Sequence, residues 1–592
     1  MRRSTGTIVL LTLLLALGAC LGGTVTLEGT EDPAARQAGA GEDPHPSPPP
    51  QAGEGEDPRA GEGEEPPATE AGEGEELAGC WSAPIEAGSG PGPVAWENVT
   101  RAAGLWEPLL GMRGHALAWG DVDGDGWADV FVGTFADEPT EDYQQRGAEG
   151  PAPDRLLLGG PDGFVVDESF PTELGRTSGA AFADLDGDAD LDLVVARNSR
   201  DRYQGPGTQV LRNHQGAFEV ASVLSSELGA RSVGVLDYDG DGLLDLFIAE
   251  DRWTGGSSVL LRNEGELRFR DVTRAAGLPA DVDGLGVGVA DLTGDRWPDL
   301  FVAGSNRLFV NSGEASFREA DSSVFSWETY GDEDDVAGVA IADLNRDGLP
   351  DIVLGQHYNS TVDDDLRVPV RLYLHQGVAG GSPQFEDVTE EAGLPGLPTK
   401  APHVEVGDFD NDGWPDILTT ASAEGGTLPA IFRHLGTSGG LPSFATPEGL
   451  GAEQYWVTAG SSDVDHDGRL DVMLVEWEPG RPTLLLGNDT LAGHWLSLEP
   501  GAIGAVVEVY EEGMLGDPGA LLGSRQVVAS HGYGSGSLAS AHFGLGGLTE
   551  VDVRVSFPHG AAGGGDPLEL SSLGADQRLS LPGNCPPDQG AG

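Results

Sequence analysis

Short apolar runs separated by tight acidic turns recur along the middle of this chain. Residues 179–183, Gly-Ala-Ala-Phe-Ala, precede one such turn, and residues 191–195, Leu-Asp-Leu-Val-Val, follow it. Short runs of aliphatic and β-branched residues bounded by Gly and Asp are typical of β-strands. Two of these runs joined by a tight turn predict a β-hairpin with the acidic residues at its tip.

Further strand-like segments follow each hairpin. Residues 155–158 and 371–374 are predicted third strands, and residues 269–273 and 385–389 are predicted fourth strands. Residues 96–100, Trp-Glu-Asn-Val-Thr, have the fourth-strand pattern but precede the first hairpin, whereas no clear fourth strand follows the last hairpin. We infer that this N-terminal strand completes the last sheet and closes a ring, which removes the open sheet edges.

The acidic turns occur seven times, and their first aspartates are 52–65 residues apart. A period of about this size with several strands per unit is typical of a β-propeller with one blade per repeat. The sequence therefore predicts an all-β fold: a seven-bladed β-propeller followed by a small C-terminal β-domain.

Each turn has the pattern Asp-x-Asp-x-Asp-Gly-x-x-Asp or a close variant. Carboxylates this close together repel one another, and a hard cation surrounded by oxygen atoms makes the arrangement favourable. The pattern therefore predicts that the hairpin loops bind Ca²⁺, about five to seven ions in all. The predicted ligands are Asp121, Asp123, Asp125 and Asp129; Asp184, Asp186, Asp188 and Asp192; Asp237, Asp239, Asp241 and Asp245; Asp291, Asp295 and Asp299; Asp343, Asn345, Asp347 and Asp351; Asp408, Asp410, Asp412 and Asp416; and Asp463, Asp465, Asp467 and Asp471.

Three turns depart from the pattern. Asn345 occupies the second ligand position of the fifth turn, where an amide oxygen can still coordinate. The fourth turn has Thr293 at that position and Arg296 in place of glycine, and the second turn has Ala189 in place of glycine. Glycine lets the backbone bend so that a carbonyl faces the ion, so the fourth turn is the weakest calcium candidate. EF-hands are excluded, because position 12 of each turn lies in the following apolar strand and is never Glu.

The charge of the chain limits its partners. Its 592 residues include 98 acidic and 32 basic side chains, which give a formal net charge of −66. Nucleic acid and anionic lipid surfaces would repel such a chain, so neither is an expected partner. Apolar residues make up 39% of the chain, which is enough for a core.

The N-terminus has the pattern of an export signal. Arg2 and Arg3 precede an apolar run over residues 8–17, which is too short to span a bilayer. The run ends in Leu-Gly-Ala-Cys20, which resembles a bacterial lipobox and would place a lipid on Cys20. The alternative is an ordinary secretory signal with an incidental cysteine. Either interpretation places the mature chain outside the cytoplasm. The lipobox interpretation predicts a lipoprotein at the outer membrane or cell surface that contacts the membrane only through its lipid anchor.

The rest of the chain divides by composition. Residues 1–20 are the predicted signal, and residues 21–90, rich in Gly, Pro and Glu, are a predicted disordered tether. The propeller is predicted over residues 91–488, the β-domain over residues 489–583 and a short tail over residues 584–592. Cys80 and Cys585 flank the folded part, where they are predicted to form a disulfide that joins the two ends, with two free thiols as the alternative.

These residues resemble a known family. The acidic hairpins over residues 94–488 resemble the FG-GAP or VCBS repeats of the integrin α-subunit propeller. Residues 493–498, 532–535 and 542–546 look like parts of an ASPIC and UnbV domain. Propeller plus that domain is the layout of the cartilage acidic protein relatives, many of them bacterial. The resemblance implies calcium-binding hairpin loops.

Little in the sequence indicates catalysis. It has no Gly-x-Ser-x-Gly elbow, no His-Glu-x-x-His pair and no phosphate-binding Gly-Lys-Ser/Thr loop, so no enzymatic activity is expected. His494, His531 and His542 of the C-terminal domain could converge on a metal, but separate packing roles are the simpler interpretation. Calcium held by several carboxylates has few open positions, so such ions stabilise hairpins and do not activate water.

Three functions compete. The sequence favours a calcium-stabilised cell-surface binding or adhesion module, expected to be a monomer, that recognises an extracellular protein or glycan. The alternatives are an extracellular propeller enzyme acting on polysaccharide and a structural envelope lipoprotein. The enzyme hypothesis predicts clustered polar residues on the propeller face opposite the acidic turns.

Overall fold

The structure, a computed structural model, describes most of the chain after residue 93. It covers residues 94–145, 147–198, 205–225, 228–251, 256–325, 334–358, 370–394, 396, 402–420, 430–450, 456–477, 483–488, 493–561 and 565–581. Cys20, Cys80 and Cys585 lie outside these residues, as do the predicted signal segment and tether, so the lipid anchor and the disulfide stay predictions. No helix within the described residues combines the length and the apolar character needed to cross a membrane.

The first half of the described chain consists of four-stranded units. The elements are β1 Trp96–Asn98, β2 Gly114–Gly120, β3 Asp129–Thr134, the helix α1 Thr140–Gln145, β4 Arg155–Leu158, β5 Val165–Val166, β6 Thr177–Ala183, β7 Asp192–Arg197, β8 Thr208–His214, β9 Ala217–Ser225, β10 Ala230–Leu236, β11 Asp245–Glu250, β12 Val259–Asn263, β13 Phe269–Asp271, β14 Gly284–Ala290, β15 Asp299–Gly304, β16 Arg307–Asn311 and β17 Phe317–Glu319.

The second half contains further four-stranded sheets, followed by C-terminal strands in a different arrangement. After a 3₁₀ turn at Ser322–Val324, the strands are β18 Asp334–Ala342, β19 Asp351–Tyr358, β20 Arg371–Ala379, β21 Ser382–Asp387, β22 Val404–Gly407, β23 Asp416–Thr419, β24 Ala430–Phe432, β25 His434–Ser438, β26 Leu441–Phe444, β27 Glu448–Gly449, β28 Trp456–Ser462, β29 Asp471–Glu476 and β30 Leu484–Asn488. The C-terminal strands are β31 His494–Glu499, β32 Val506–Glu511, then a 3₁₀ turn at Pro518–Ala520, β33 Leu521–Gln526, β34 Ser530–His531, β35 Ser535–Gly536, β36 Ala541–Gly546, β37 Glu550–Ser556, β38 Leu568–Gly574 and β39 Gln577–Ser580.

Apart from the two-stranded pair β25–β26, the strands before β31 form antiparallel sheets of four, each with an acidic turn between its first and second strand. Within the described residues these sheets are β2–β5, β6–β9, β10–β13, β14–β17, β18–β21, β22–β23–β24–β27 and β28–β29–β30–β1. The all-β propeller prediction is confirmed. The total of seven blades stays a prediction, which these sheets support.

The N-terminal strand closes the last sheet, as the sequence predicts. Trp96 pairs with Asn488 and Asn98 pairs with Leu486 in an antiparallel register between β1 and β30. The hydroxyl of Thr100 extends the contact, because it accepts a hydrogen bond from the backbone N–H of Leu485 at 3.1 Å. The first and last parts of the propeller therefore share one blade.

The first strands of neighbouring blades contact one another from β2 through β6, β10, β14 and β18 to β22, and β28 contacts β2. Apolar side chains fill the space between neighbouring blades. One cluster joins Val235 and Ile248 of the third blade to Val194 of the second, and another joins Leu117 of the first blade to Met473 and Val475 of the last. The core is thus divided among the blade interfaces and does not lie in one central layer.

The C-terminal strands form a separate small β-domain, with one sheet in the order β36–β31–β39 and another in the order β33–β32–β37–β38. Its own apolar core contains Leu496, Val507, Val553 and Phe543. We call the propeller face formed by the acidic turns the turn face. The opposite face lies at the other ends of these strands and includes the described connections from β3 to β4 and from β5 to β6.

A hairpin of the C-terminal domain enters the propeller centre. This central hairpin, residues 530–537, contains β34 and β35. Strand β35 pairs in parallel with β2, and Gly532 exchanges backbone hydrogen bonds with Val339 of the fifth blade. The Ser535 hydroxyl donates to the carbonyl of Ala459 in the last blade at 2.7 Å. The central hairpin therefore ties blades on different sides of the ring to the C-terminal domain.

Gly534→Ala is expected to lower the free energy of unfolding by about 2–4 kcal/mol. Gly534 has φ +69°, and an added Cβ would lie 2.7 Å from the carbonyl oxygen of Ser178 and 2.8 Å from that of His115. Chemical denaturation measures the change. Gly547→Ala in the same domain is the matched control, because its Cβ would meet nothing within 4 Å. Equal stability of the two variants would contradict the placement of the central hairpin.

Candidate metal centres

The acidic turns share one backbone conformation, held by the first aspartate. In the first turn Asp121 Oδ1 accepts the N–H of Gly124 at 2.9 Å and of Asp125 at 3.1 Å, while Oδ2 accepts the N–H of Gly126 at 3.0 Å. The bond from the first aspartate to the residue five positions later recurs in the other turns. Those pairs are Asp184 with Ala189, Asp237 with Gly242, Asp291 with Arg296, Asp343 with Gly348, Asp408 with Gly413 and Asp463 with Gly468.

The sixth position of every turn is left-handed, which explains why the pattern favours glycine there. Gly126 has φ 91°, and the departing residues Ala189 and Arg296 have φ 75° and 68°. A non-glycine residue in this region costs on the order of 1 kcal/mol. Ala189 and Arg296 therefore do not prevent the turn from forming, and the fourth turn folds like the others.

The fourth aspartate of each turn joins three parts of its blade. Asp129 is fully buried, and its Oδ2 accepts the N–H of Val122 in the turn at 2.8 Å. Its Oδ1 accepts the N–H of Gly159, which follows the third strand, at 2.7 Å. In the other blades the fourth aspartate accepts the corresponding backbone N–H from a residue in or next to the third strand. These residues are Asn213, Asn263, Asn311, His375, His434 and Asn488.

These third-strand residues also link neighbouring blades. The Asn213 side-chain amide donates to the carbonyl of Val122 in the preceding turn at 2.7 Å. His375 Nε2 lies 2.9 Å from the carbonyl oxygen of Leu292 and His434 Nε2 lies 2.9 Å from that of Leu344, in the same geometry. Burial lowers the pKa of His434 to about 4, so it is a neutral donor here. The sequence interpretation missed this set, although an Asn or His recurs at the corresponding position within or just after six third strands.

Several oxygen atoms of the turns have the environment of metal ligands. In each of the first three turns, oxygens of the first, second and fourth aspartates lie within 4.8 Å of one another. At the second ligand position, Asp186 Oδ1, Asp239 Oδ1 and Thr293 Oγ1 are buried and make no hydrogen bond. Such atoms are costly to bury unless a cation or donor compensates them. The residues present therefore fit a hard cation bound by oxygen atoms, and Thr293 supplies a hydroxyl where the other turns have a carboxylate or amide.

The third aspartate is oriented differently. Asp125 Oδ1 accepts the N–H of Trp127 at 2.9 Å, and Asp241 Oδ1 accepts that of Leu243 at 3.0 Å. Its carboxylate thus supports the turn. The second oxygen of Asp241 accepts a hydrogen bond from Arg262 Nη2 at 2.8 Å, so an ion at the third turn would compete with this arginine.

Burial of these carboxylates raises their pKa values. Desolvation raises the pKa of Asp129 and of Asp245 to about 8, partly offset by backbone hydrogen bonds from Val122 and Gly159 to Asp129. Desolvation also raises the pKa of Asp237 to about 6, and repulsion from Asp241 and Asp239 adds to the shift. Each raised pKa reflects the free-energy cost of ionising a buried carboxylate, and the negative charges of its neighbours add to that cost. A bound divalent cation would offset it.

The C-terminal domain packs on the turn face. Arg578 Nη1 donates to the carbonyl of Gly126 in the first turn at 3.1 Å, and Gln526 Oε1 accepts the N–H of Asp291 in the fourth turn at 2.9 Å. His542 Nε2 lies 2.9 Å from Asn411 Oδ1 in the sixth turn. The ring of His559 stacks on Trp297 of the fourth turn, with ring centroids 4.6 Å apart. The acidic turns therefore support a second domain as well as their own blades.

The three histidines considered as one metal site do not converge. His494 Nδ1 lies 2.7 Å from Asp576 Oδ2, His542 contacts Asn411, and His531 faces Glu405 of the propeller. Packing explains His494 and His542, as the simpler interpretation held. His531 instead belongs to a group with Glu405 and His403, which sequence spacing could not bring together.

Comparison with known families agrees with this architecture. The FG-GAP-like repeat model matches residues 237–302 and 291–354, and the FG-GAP repeat model matches residues 113–146. The model for ASPIC and UnbV matches residues 497–584. The chain combines FG-GAP repeats with an ASPIC and UnbV domain. The family resemblance inferred from the acidic hairpins and the C-terminal segments is confirmed.

Related proteins extend the comparison. Cartilage acidic protein 1 is 29% identical over 535 residues in Mus musculus, covering 81% of this chain and 76% of that protein. The Homo sapiens protein is 29% identical over 533 residues, with 81% and 74% covered. Integrin alpha-4 of Xenopus laevis is 30% identical over 145 residues, 23% of this chain and 14% of that protein. This homology indicates an extracellular or cell-surface binding module whose FG-GAP repeats bind divalent cations.

Similar solved structures are more distant. An exotype rhamnogalacturonan lyase, YesX, aligns with 69% of this chain and 75% of its own at 12% identity and a TM-score of 0.37. A similarity this low carries no argument about activity.

Removal of Ca²⁺ with EDTA is expected to lower the melting temperature by at least about 10 °C at pH 8 and by much less at pH 5. Without the ion, folded Asp129, Asp245 and Asp299 keep their protons up to about pH 8, whereas unfolded aspartates lose them near pH 4. The ion-free folded chain thus binds more protons than the unfolded chain, and its stability falls as pH rises across this interval. Ca²⁺ binding strengthens over the same interval, because it needs the ionised form. Calorimetry with and without EDTA tests this, and an equal loss at both pH values would contradict it.

Thr293→Asp is expected to tighten Ca²⁺ binding at the fourth turn by about tenfold, because it adds a charged ligand at the second position. Isothermal titration with native mass spectrometry measures the affinity and the number of ions. Ser312→Asp adds the same charge to the same blade outside the turn and should leave both unchanged. Equal affinity in the two variants would show that the fourth turn does not bind the ion through this position.

Proposed function

We propose that this chain is a calcium-stabilised cell-surface module that binds an extracellular protein or glycan through the opposite face of its propeller. A lipid on Cys20 would anchor it, and the acidic segment up to residue 90 would separate the folded part from the membrane. The proposal includes no catalytic activity and a monomeric state.

Coverage of the turn face by the C-terminal domain carries this proposal. Arg578, Gln526, His542 and His559 of that domain contact the first, fourth and sixth turns, as described above. Metal-bound turns packed against a second domain are suited to a structural role. A ligand of the propeller is therefore expected on the face that this domain does not cover.

The opposite face offers suitable contacts. Leu174, in the connection from the first blade to the second, is 49% exposed although it is a large apolar side chain. The helix α1, in the connection from β3 to β4, carries the acidic residues Glu141 and Asp142 in its first turn. Tyr143 anchors this helix, because its side chain is fully buried and its hydroxyl donates to the carbonyl of Phe135 at 3.2 Å. Rigidly supported loops of this kind are common binding surfaces.

Several polar groups in the described part of this face are paired with one another. Arg231 Nε donates to Asp251 Oδ2 at 2.7 Å, and the Asn198 amide donates to the same oxygen at 3.0 Å. Arg197 is likewise paired with Asp154 at 3.0 Å. These ion pairs give the centre of the face a fixed structure, which supports recognition more than proton transfer.

Screening of glycan arrays and extracellular proteins in the presence of Ca²⁺ would identify a ligand. Leu174→Asp and Glu141→Lys are each expected to weaken binding of that ligand by roughly tenfold. Leu548→Asp and Glu264→Lys are the matched controls, because they change exposed residues of the C-terminal domain and of a turn-face loop in the same way. Loss of binding in the controls with retention in Leu174→Asp and Glu141→Lys would overturn the assignment of the face.

The dependence of binding on Ca²⁺ separates the module from its alternatives. A binding module should lose its ligand when EDTA removes the ions and regain it when Ca²⁺ returns. A structural envelope component would capture no specific ligand in either condition. Release of product from a panel of polysaccharides would instead favour the enzyme.

A further inference from the structure

Three side chains from distant parts of the sequence meet beside the central hairpin. His403 lies directly before β22, Glu405 lies within β22, and His531 ends β34 of the C-terminal domain. Alternate residues of an extended segment point to the same side, so His403 and Glu405 both face the hairpin. One ligand atom from each of the three side chains lies within 4.8 Å of the other two. His403 is fully buried, Glu405 is 5% exposed and His531 is partly buried.

The facing atoms of this group make no hydrogen bonds. His403 Nε2, Glu405 Oε2 and His531 Nε2 are each buried without a hydrogen-bond partner. Glu405 Oε2 lies 3.6 Å from His403 Nε2 and 3.3 Å from His531 Nε2. A tetrahedral zinc site with bonds of about 2.0–2.1 Å has ligand atoms about 3.3 Å apart. The separations therefore match the edges of a metal coordination shell.

The opposite atom of each side chain is held in place. Glu405 Oε1 accepts hydrogen bonds from the Ser461 hydroxyl and, at 3.2 Å, from the Ser461 backbone N–H. His531 Nδ1 contacts the Ser537 hydroxyl, and His403 Nδ1 lies 3.3 Å from both Thr458 Oγ1 and the backbone N of Tyr533. Metal binding through His403 Nε2 requires Nδ1 to carry the proton and to donate it to Thr458. Metal-binding histidines and carboxylates are commonly oriented by such hydrogen bonds on their far side. The arrangement fixes the two imidazole rings and the carboxylate so that their remaining atoms point to one place.

An ion pair alone is the competing explanation. A buried carboxylate needs a positive partner. Glu405 Oε2 lies 3.6 Å from His403 Nε2 and 3.3 Å from His531 Nε2, and both distances exceed the roughly 2.7–2.9 Å of a charge-assisted hydrogen bond. A shared cation satisfies all three atoms at once.

We propose that His403, Glu405 and His531 bind one divalent transition-metal ion of the zinc class, which fastens the central hairpin to the sixth blade. Two imidazoles and a carboxylate suit such an ion, whereas the oxygen-only turns suit Ca²⁺. Glu405 and His531 also line a cavity of about 150 Å³ between the propeller and the C-terminal domain. Three protein ligands leave a fourth position for water or a small ligand from this cavity.

Zinc titration of the full chain in excess Ca²⁺, which saturates the acidic turns, tests the proposal. The wild type is expected to bind one Zn²⁺, and Co²⁺ in its place should give the visible absorption of a site with nitrogen ligands. Glu405→Gln and His531→Gln are each expected to weaken Zn²⁺ binding by at least about tenfold. His494→Gln is the matched control, because His494 lies in the same domain and pairs with Asp576 instead.

Two results would overturn the site. One is a wild type that binds no Zn²⁺ in excess Ca²⁺, and the other is a Glu405→Gln or His531→Gln variant that binds Zn²⁺ as tightly as the wild type. Circular dichroism and calcium-dependent melting select variants that fold. X-ray absorption of the zinc-loaded wild type gives a reading that needs no variant: two imidazoles and an oxygen ligand support the proposal, and a shell of oxygen alone refutes it.

Discussion

The buried fourth aspartate of each acidic turn is the residue on which the propeller depends. In the third blade, Asp245 accepts the N–H of Tyr238 within its turn and the N–H of Asn263 at the end of the third strand. Asn263 then donates to the carbonyl of Leu185 in the preceding turn. One carboxylate thus connects a turn and a third strand, and through Asn263 it also reaches the preceding blade. It is also buried beside two other carboxylates, so a cation at this place would stabilise the whole connection.

The C-terminal domain makes these connections part of a larger unit. It contacts the turns from one side, and its central hairpin reaches the inner strands of several blades. The backbone of the first two blades lies so close to this hairpin that some of its positions have room only for glycine. An added Cβ at Gly536 would lie 2.8 Å from Ala180 O and from the Ala118 Cβ, so a larger residue would push the hairpin away from the first two blades. Its glycines follow from packing at the propeller centre.

This arrangement separates the roles of the two faces. The turn face carries the candidate cation sites and contacts the C-terminal domain, while the opposite face includes the connection from β3 to β4 that contains α1. The group of His403, Glu405 and His531 lies between these regions and joins the domain to the ring from within. Cations of two chemical classes would then hold the same pair of domains together, one class through oxygen ligands and the other through imidazole.

Local pattern was sufficient for much of this protein. Alternation of apolar runs and acidic turns predicted the strands, the repeat and the aspartates of each turn, because a hairpin and its ligands are close in sequence. The fourth-strand pattern at Trp96 even predicted ring closure. Tertiary structure alone decided which residues meet across long separations, such as His403 with His531 or Arg578 with Gly126. Those contacts depend on how a second domain packs on the ring, and no spacing along the chain encodes that packing.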